Sequence, residues 1–226
     1  MKRFSSPLGI SLALLSGTTI YLALHHIRCL NNRYPDQHHL PSYLLTPHLQ
    51  PPYTEWCLVT TRVPIPASVI IDSPKDLFVR NFYTTCTLRL KAFLARLTGY
   101  VSFPDQGLGA HASGLFVRTT ISQAGEVMEY TIPSPILSLL DKLDIPMIRG
   151  GRQELAAVVI KGEAGEGDEL ELAYACAEHY DGAKEGLKGK SVSKWGANLH
   201  KFYMRFLLDQ ARGKVVKELE SMAGQL

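Results

Sequence analysis

The 226-residue chain is 46% hydrophobic and 20% charged, with a formal net charge of +3; that is the composition of a folded protein and excludes a disordered one. So small a positive excess, with no run of Lys and Arg interleaved with aromatics, excludes nucleic acid as a partner. Four cysteines, Cys29, Cys57, Cys86 and Cys176, lie far apart without a C-x-x-C pair, so neither a structural zinc site nor a disulfide framework is expected.

The chain opens with the basic start Met1-Lys2-Arg3, followed by an uncharged run over residues 8–24. At 1.5 Å per residue such a run reaches about 25 Å, slightly short of the roughly 30 Å hydrocarbon core of a bilayer. A cleaved signal peptide competes with this reading, but Leu22-Ala23-Leu24 lacks the small residues that cleavage favours. A mitochondrial presequence would be richer in Arg and amphipathic. Residues 1–28 are therefore expected to form a single N-terminal transmembrane helix, a single-pass anchor in the endoplasmic reticulum membrane. Lys2 and Arg3 before the run nearly balance Arg28 and Arg33 after it, so the positive-inside comparison leaves orientation open.

Residues 29–53 read as a Pro- and His-rich linker, an extended tether punctuated by Pro35, Pro41, Pro47, Pro51 and Pro52, with Tyr43-Leu44-Leu45 and Trp56 as a hint that part of the segment packs back on something apolar. His25, His26, His38, His39 and His48 cluster in and just before it. Adjacent histidines on such a stretch do not make a metal site, and none is expected.

Residues 54–226 are expected to form one α+β domain. A β-branched stretch over 56–64 predicts a strand stopped by Pro64. Ser73, Pro74 and Asp76 then cap a single helix running to Gly99, with Phe78, Phe82, Cys86, Leu90, Phe93 and Leu97 on its buried face. Residues 101–113 read as loop. After Gly107-Leu108-Gly109 the third glycine is in the wrong place for a nucleotide loop, and no long hydrophobic strand leads into it. Residues 115–121 and 127–132 predict a hairpin around Ser122-Gln123-Ala124-Gly125. Residues 136–145 read either as a short helix or as an irregular strand. A second hairpin, 154–161 with 169–180, turns through an acidic, glycine-rich loop without the ligand alternation of a calcium site.

In that last strand Leu170, Leu172, Tyr174 and Cys176 share one face. The same phase carries Glu178 and Tyr180 inward, unless the strand has already frayed into a surface turn. A long helix over residues 191–222 closes the chain. Trp195, Leu199, Phe202, Tyr203, Phe206, Leu207, Val215, Leu219 and Met222 form its apolar stripe, and Lys194, Lys201, Arg205, Asp209, Arg212 and Lys217 fall mainly on the other side. A helix this long needs a broad surface to lie on.

The order strand, capped helix, antiparallel strands, long terminal helix resembles the START/Bet v 1-like helix-grip (SRPBCC) superfamily over roughly residues 56–222. The resemblance implies a curved antiparallel sheet gripping the C-terminal helix, with an apolar cavity between them. Two features depart from it: one long helix stands where that fold has a pair, and residues 133–151 do not alternate cleanly. The stretch from Asp76 to Thr85, followed by Leu88-Arg89-Leu90, is similar to uncharacterised fungal secondary-metabolism proteins with an N-terminal membrane anchor.

The expected function is a membrane-anchored small-molecule-pocket protein. It would act as a cofactor-independent cyclase, isomerase or dehydratase on an apolar polyketide or terpenoid intermediate in natural-product biosynthesis. Such chemistry needs a shaped pocket and one or two polar groups. Glu178, His179 and Tyr130 are the candidate catalytic groups, and Tyr174, Trp195, Leu199, Phe202, Tyr203 and Phe206 the candidate ligand-binding ones. No cofactor and no metal is expected. The partners are an apolar small molecule and the membrane through residues 8–24, with biosynthetic enzymes as a further option. The alternative is a non-catalytic lipid or sterol carrier using the same cavity, or, third, an assembly factor whose long helix binds a partner.

Overall fold

The computed structural model describes residues 24–39, 41–45, 53–97, 110–111, 116–131, 138, 150–163, 167–179 and 194–225. Residues 24–33 are helical (α1). There follow β1 (Tyr53–Pro64), α2 (Pro74–Tyr83), α3 (Cys86–Leu97), β2 (Ala110–His111), β3 (Phe116–Ile121), β4 (Gly125–Thr131), β5 (Gly150–Ile160), β6 (Glu169–His179) and α4 (Lys194–Ala223). The strands form one antiparallel sheet in the order β1-β6-β5-β4-β3-β2. From β2 to β6 the chain meanders, and β1 returns to pair with the last strand. The α+β class and both expected hairpins are present. The expected element at 136–145 lies outside the described residues except for Ser138.

The sheet has two buried faces. On the inner one, Cys57, Val59 and Val63 of β1 stand opposite Cys176, Tyr174 and Leu170 of β6, joining Leu155, Ala157, Phe116 and Met128 in the main core. The alternation expected for β6 therefore holds from Leu170 to Cys176. The outer face packs small residues, Ala156, Ala173 and Ala175 with Leu58, beneath Tyr43 and Leu44.

The expected single helix is two. Ser73 caps α2, its hydroxyl accepting from Asp76 N–H, and Pro74 begins the helix, as the sequence predicts. At Thr84 the hydroxyl donates back to the carbonyls of Arg80 (3.0 Å) and Asn81 (3.2 Å), a local bond that competes with helix propagation. Thr85 N–H turns to Phe82 O, and Arg89 N–H to Thr85 O opens α3. The break re-aims the second half. Phe78 and Phe82 stay buried, whereas Leu90, Phe93, Leu94, Leu97 and Cys86 are exposed and Leu88 enters the core instead.

Three surroundings hold α4. Met204, Leu207, Leu208, Ala211, Val215 and Leu219 are buried in the main core; full burial of such a side chain contributes about 1.5–3 kcal/mol. On one flank Glu218 pairs with Arg80 and accepts from Asn81 Nδ2 (2.8 Å), while Gln210 Nε2 donates to Thr87 Oγ1 (2.7 Å) and Lys214 to Thr84 Oγ1 (3.0 Å). These bonds fix α2 and α3 alongside.

The other flank is occupied by the N-terminal segment. Where an extended tether is expected, α1 and the residues after it dock on α4. Leu30 and Tyr34 are 2% and 0% exposed. The Arg205 guanidinium, only 8% exposed as a residue, donates to Tyr34 O (2.7 Å), Asn31 Oδ1 (2.9 Å) and Asp36 Oδ1 (2.6 Å). Lys201 reaches Asp36 Oδ2 at 2.9 Å, and Asp209 accepts from Arg33 (2.8 Å) and from Tyr34 OH (2.6 Å). The polar stripe of the terminal helix thus binds protein.

The segment then rounds the sheet. Gln37 N–H donates to Leu58 O on edge strand β1 (3.1 Å), and beyond it Tyr43 OH bonds Glu171 and Leu45 N–H bonds Glu154 on the outer face. Covering an edge strand in this way blocks pairing with another chain. No helix among the described residues is long and apolar enough to cross a membrane, and the expected anchor at 8–24 lies outside them except for Leu24.

Burial alone would raise the Asp36 carboxyl, but Lys201 and Arg205 outweigh it and hold the group below its ordinary 3.8. A depressed carboxyl contributes stability that is present above the unfolded-state value and lost as pH falls through the folded one. Asp36→Asn should therefore destabilise the protein at neutral pH by about 2 kcal/mol. The gap to wild type should close below about pH 4, as read from thermal melts across that range; a gap independent of pH would exclude the ion pair as its source.

Candidate functional site

The inner face beneath the start of α4 collects hydroxyls and a thiol in an otherwise apolar setting. Tyr174, midway along β6 opposite Val59 and Leu155, is 0% exposed, and its hydroxyl has no hydrogen-bond partner among the described residues. Phe82 of α2 packs edge-on against its ring, centroids 4.9 Å apart. Tyr83 at the end of α2, Tyr130 of β4, Tyr203 of α4 and Cys176 of β6 are close enough to act on Tyr174 electrostatically. Phe116 joins them, 6.0 Å from both Tyr83 and Tyr130. A second buried polar atom without a partner among the described residues, Gln153 Oε1 on the neighbouring strand, belongs to the residue opposite Cys176. Leaving such an atom unmatched costs about 1–3 kcal/mol, so the arrangement is anomalous for a core that serves packing alone.

Two ionic groups border the tyrosines. Glu126, 3% exposed, receives Arg118 Nη1 at 3.3 Å. Lys91 of α3 is exposed as a residue, but its ammonium lies over two rings, 5.7 Å from the Tyr203 centroid and 5.9 Å from that of Phe116. Desolvation there lowers its basicity, while the ring faces attract the cation.

Three of these phenols are held protonated. Burial pushes Tyr174 well above its ordinary value, with Cys176 and Tyr203 adding to it. It does the same for Tyr83, reinforced by the Glu126 charge and opposed by Arg118. Tyr203 is pushed up to about 12, mainly by burial. Neutral phenols in a dry site are hydrogen-bond donors, suited to an oxygen that carries or gains negative charge. The Cys57 thiol is likewise pushed up to about 12 by burial and Asp36, which makes it an inert core group.

Of the expected site residues, Tyr130, Tyr174 and Tyr203 come together here. Tyr130 faces Gly151 in the β4–β5 register, and Gly151 faces Glu178 in the β5–β6 register, so Tyr130 and Glu178 share one cross-strand row. The absence of a side chain at Gly151 is what admits the Tyr130 ring: a Cβ there would lie 2.8 Å from its hydroxyl and 2.6 Å from Ala177 O. His179 ends β6 opposite Gly150. The side chains of Glu178, His179, Trp195 and Leu199 fall outside the described residues. Phe202 and Phe206 stack on each other (6.1 Å) and receive His26 of α1 edge-on at 6.5 and 6.0 Å; their rings serve the N-terminal helix.

Sequence reasoning missed Tyr83, Lys91, Glu126, Gln153 and Cys176. Tyr83 and Lys91 belong to a helix pair read as one helix, and Glu126 falls between the expected turn and the expected strand. For Gln153, the four residues that lengthen β5 before Glu154, Gly150 to Gln153, carry no apolar alternation. Among the described residues no group of three or more His, Cys, Asp and Glu could hold a metal ion. An open cleft of about 620 Å³ lies at the β5–β6 turn, lined by Arg62, Ile65, Lys161 and Asp168 among others. It lies away from the tyrosines, and its Lys161–Asp168 ion pair serves the turn. Comparisons with protein-family models, curated proteins and solved structures found no match to this chain.

A phenol whose folded value is raised contributes stability that is present below the unfolded value of about 10 and lost as pH rises through the folded one. At about pH 11 the native protein should accordingly show less phenolate absorbance than the denaturant-unfolded chain with its ten tyrosines. The missing signal, from Tyr83, Tyr174 and Tyr203 together with Tyr34 and Tyr43, which are also raised chiefly by burial, should appear only as the protein unfolds. Full phenolate absorbance in the folded state would show that these hydroxyls meet solvent.

Proposed function

We propose that this is a membrane-anchored small-molecule-pocket protein of the START/Bet v 1-like helix-grip type. It holds an apolar, oxygen-bearing polyketide or terpenoid intermediate beneath α4 and promotes its cyclisation, isomerisation or dehydration without a cofactor. The observation that carries this reading is the Tyr174 hydroxyl, fully buried, without a partner among the described residues, and surrounded by Tyr83, Tyr130, Tyr203 and Cys176. A ligand oxygen in that compartment satisfies it. The strand order with β1 beside the last strand, two helices between β1 and β2, and a long helix after β6 supports the fold-family part. So does the one-residue register shift between Arg118 and Thr120, since such irregularities bend a sheet. That part rests on element order alone.

The chemistry follows from protonation state. Neutral phenols polarise a carbonyl and stabilise the oxyanion that forms as a bond is made or a proton leaves the neighbouring carbon. Glu178, on the Tyr130 row, is the acid–base candidate. The apolar run at 8–24 serves as the single-pass anchor in the endoplasmic reticulum membrane.

The direct test incubates the full-length protein with a panel of ketone-bearing polyketide and terpenoid precursors and follows binding and product mass. Tyr174→Phe should leave the ligand-free melting temperature unchanged or slightly higher, because it removes an unmatched hydroxyl. It should weaken binding about tenfold, the worth of one buried hydrogen bond. Binding and transfer between vesicles with no change in mass would favour the lipid or sterol carrier. A melting temperature that falls while binding stays intact would show that the hydroxyl is structural and remove the basis of both readings. For the anchor, the full chain should stay with microsomal membranes through alkaline carbonate extraction, and deleting residues 8–22 should release it.

A further inference from the structure

The break at Thr84–Thr85 leaves α3 with an apolar ridge facing outward. Leu90, Phe93, Leu94 and Leu97 are 59, 56, 51 and 68% exposed, and their spacing of three, one and three places them on one side of the helix. Opposite them Leu88 and Ala92 are buried in the main core, so α3 is anchored by its other face. The helix has no acidic residue: its three charged residues, Arg89, Lys91 and Arg96, are all basic. Their angular positions place Arg89 along one border of the ridge and Lys91 along the other. An apolar ridge bordered by basic residues is the pattern of a helix lying in a lipid interface.

We propose that α3 docks on an anionic bilayer surface, its ridge set into the boundary between headgroups and acyl chains and Arg89 at the headgroups. The choice of occupant rests on two arguments. The exposed side chains amount to roughly 400–500 Å² of apolar surface, in the range of patches that mark an interaction site. That is about half of the 800 Å² per partner that a standard protein interface buries. A bilayer needs no such area, since each inserted side chain contributes independently. The uniformly basic charge, meanwhile, matches phosphatidylserine or phosphoinositide headgroups. Docking places Lys91, and the Tyr203 and Phe116 rings beneath its ammonium, next to the lipid, so that an apolar molecule dissolved in the membrane would meet the tyrosine compartment without crossing water. The docking itself does not depend on what that compartment binds or on the anchor.

Phe93→Trp in the full chain supplies a local probe that an N-terminal anchor does not move. The protein is reconstituted in vesicles of phosphatidylcholine with and without phosphatidylserine, part of the lipid carrying brominated acyl chains, with wild type as the baseline for Trp56 and Trp195. Circular dichroism and melting confirm the fold, and Leu97→Trp is a second probe if Phe93→Trp is impaired. The expected result is a blue-shifted emission quenched beyond the baseline in the phosphatidylserine vesicles. The docked-to-undocked ratio should fall about fivefold in Arg89→Gln, the equivalent of about 1 kcal/mol per basic residue at an anionic surface. Quenching no greater than baseline overturns the proposal. Equal quenching without phosphatidylserine overturns the commitment to an anionic surface. A concentration-dependent dimer abolished by Leu90→Ser with Phe93→Ser, without quenching, shows that a second copy covers the ridge and likewise overturns it.

Discussion

The structure depends on burying α4 against the inner face of the sheet. A thirty-residue helix presents apolar and polar residues around its circumference, and each sector has been given its own neighbour. Leucine and valine meet the strands, Gln210, Lys214 and Glu218 meet the α2–α3 pair, and Lys201, Arg205 and Asp209 meet the N-terminal segment. The Arg205 knot is the most demanding of these contacts. A guanidinium withdrawn from water is tolerable only with its donors engaged, and three acceptors from residues 31–36 engage them. The segment is therefore an integral part of the domain.

How much was legible in the sequence follows from which signals are local. The Ser73 cap and the alternation of Leu170, Leu172, Tyr174 and Cys176 are written in neighbouring residues, and each appears as expected. The break between α2 and α3 is local too, but its signal is two threonines, residues that only weakly disfavour helix; the hydroxyl-to-carbonyl bonds that exploit them become evident only in three dimensions. What was not legible is long-range. Nothing near Tyr34 or Asp36 announces a partner some 170 residues away, so a proline-rich stretch read as a tether. The same cause hid the neighbour of Phe202 and Phe206: their aromatic character is visible in the sequence, and His26 beside them is not.

The candidate site divides the same way. Tyr130, Tyr174 and Tyr203 were singled out by their phase on strand or helix, which fixes the face and hence the compartment. Tyr83 and Lys91 were hidden by the single-helix reading, and Glu126 by its nearness to a turn. What makes the compartment unusual is a mismatch, since buried hydroxyls are normally matched. A mismatch is a property of surroundings and has no signature in the chain itself.

The register of the sheet also sets an order of assembly. β1 pairs with β6, and Tyr34 and Asp36 wait for partners 175 and 169 residues further along. Contacts so distant in sequence carry the entropy of closing a long loop before they return any energy, and topologies rich in them fold slowly. During synthesis the hairpins β3–β4 and β5–β6 can form as they emerge, but edge strand β1 lacks its sheet partner until β6 exists, and the contacts of residues 31–36 with Arg205 and Asp209 wait until α4 is made. Strand β1 therefore closes the sheet only once β6 has emerged, and the N-terminal segment locks onto α4 later still.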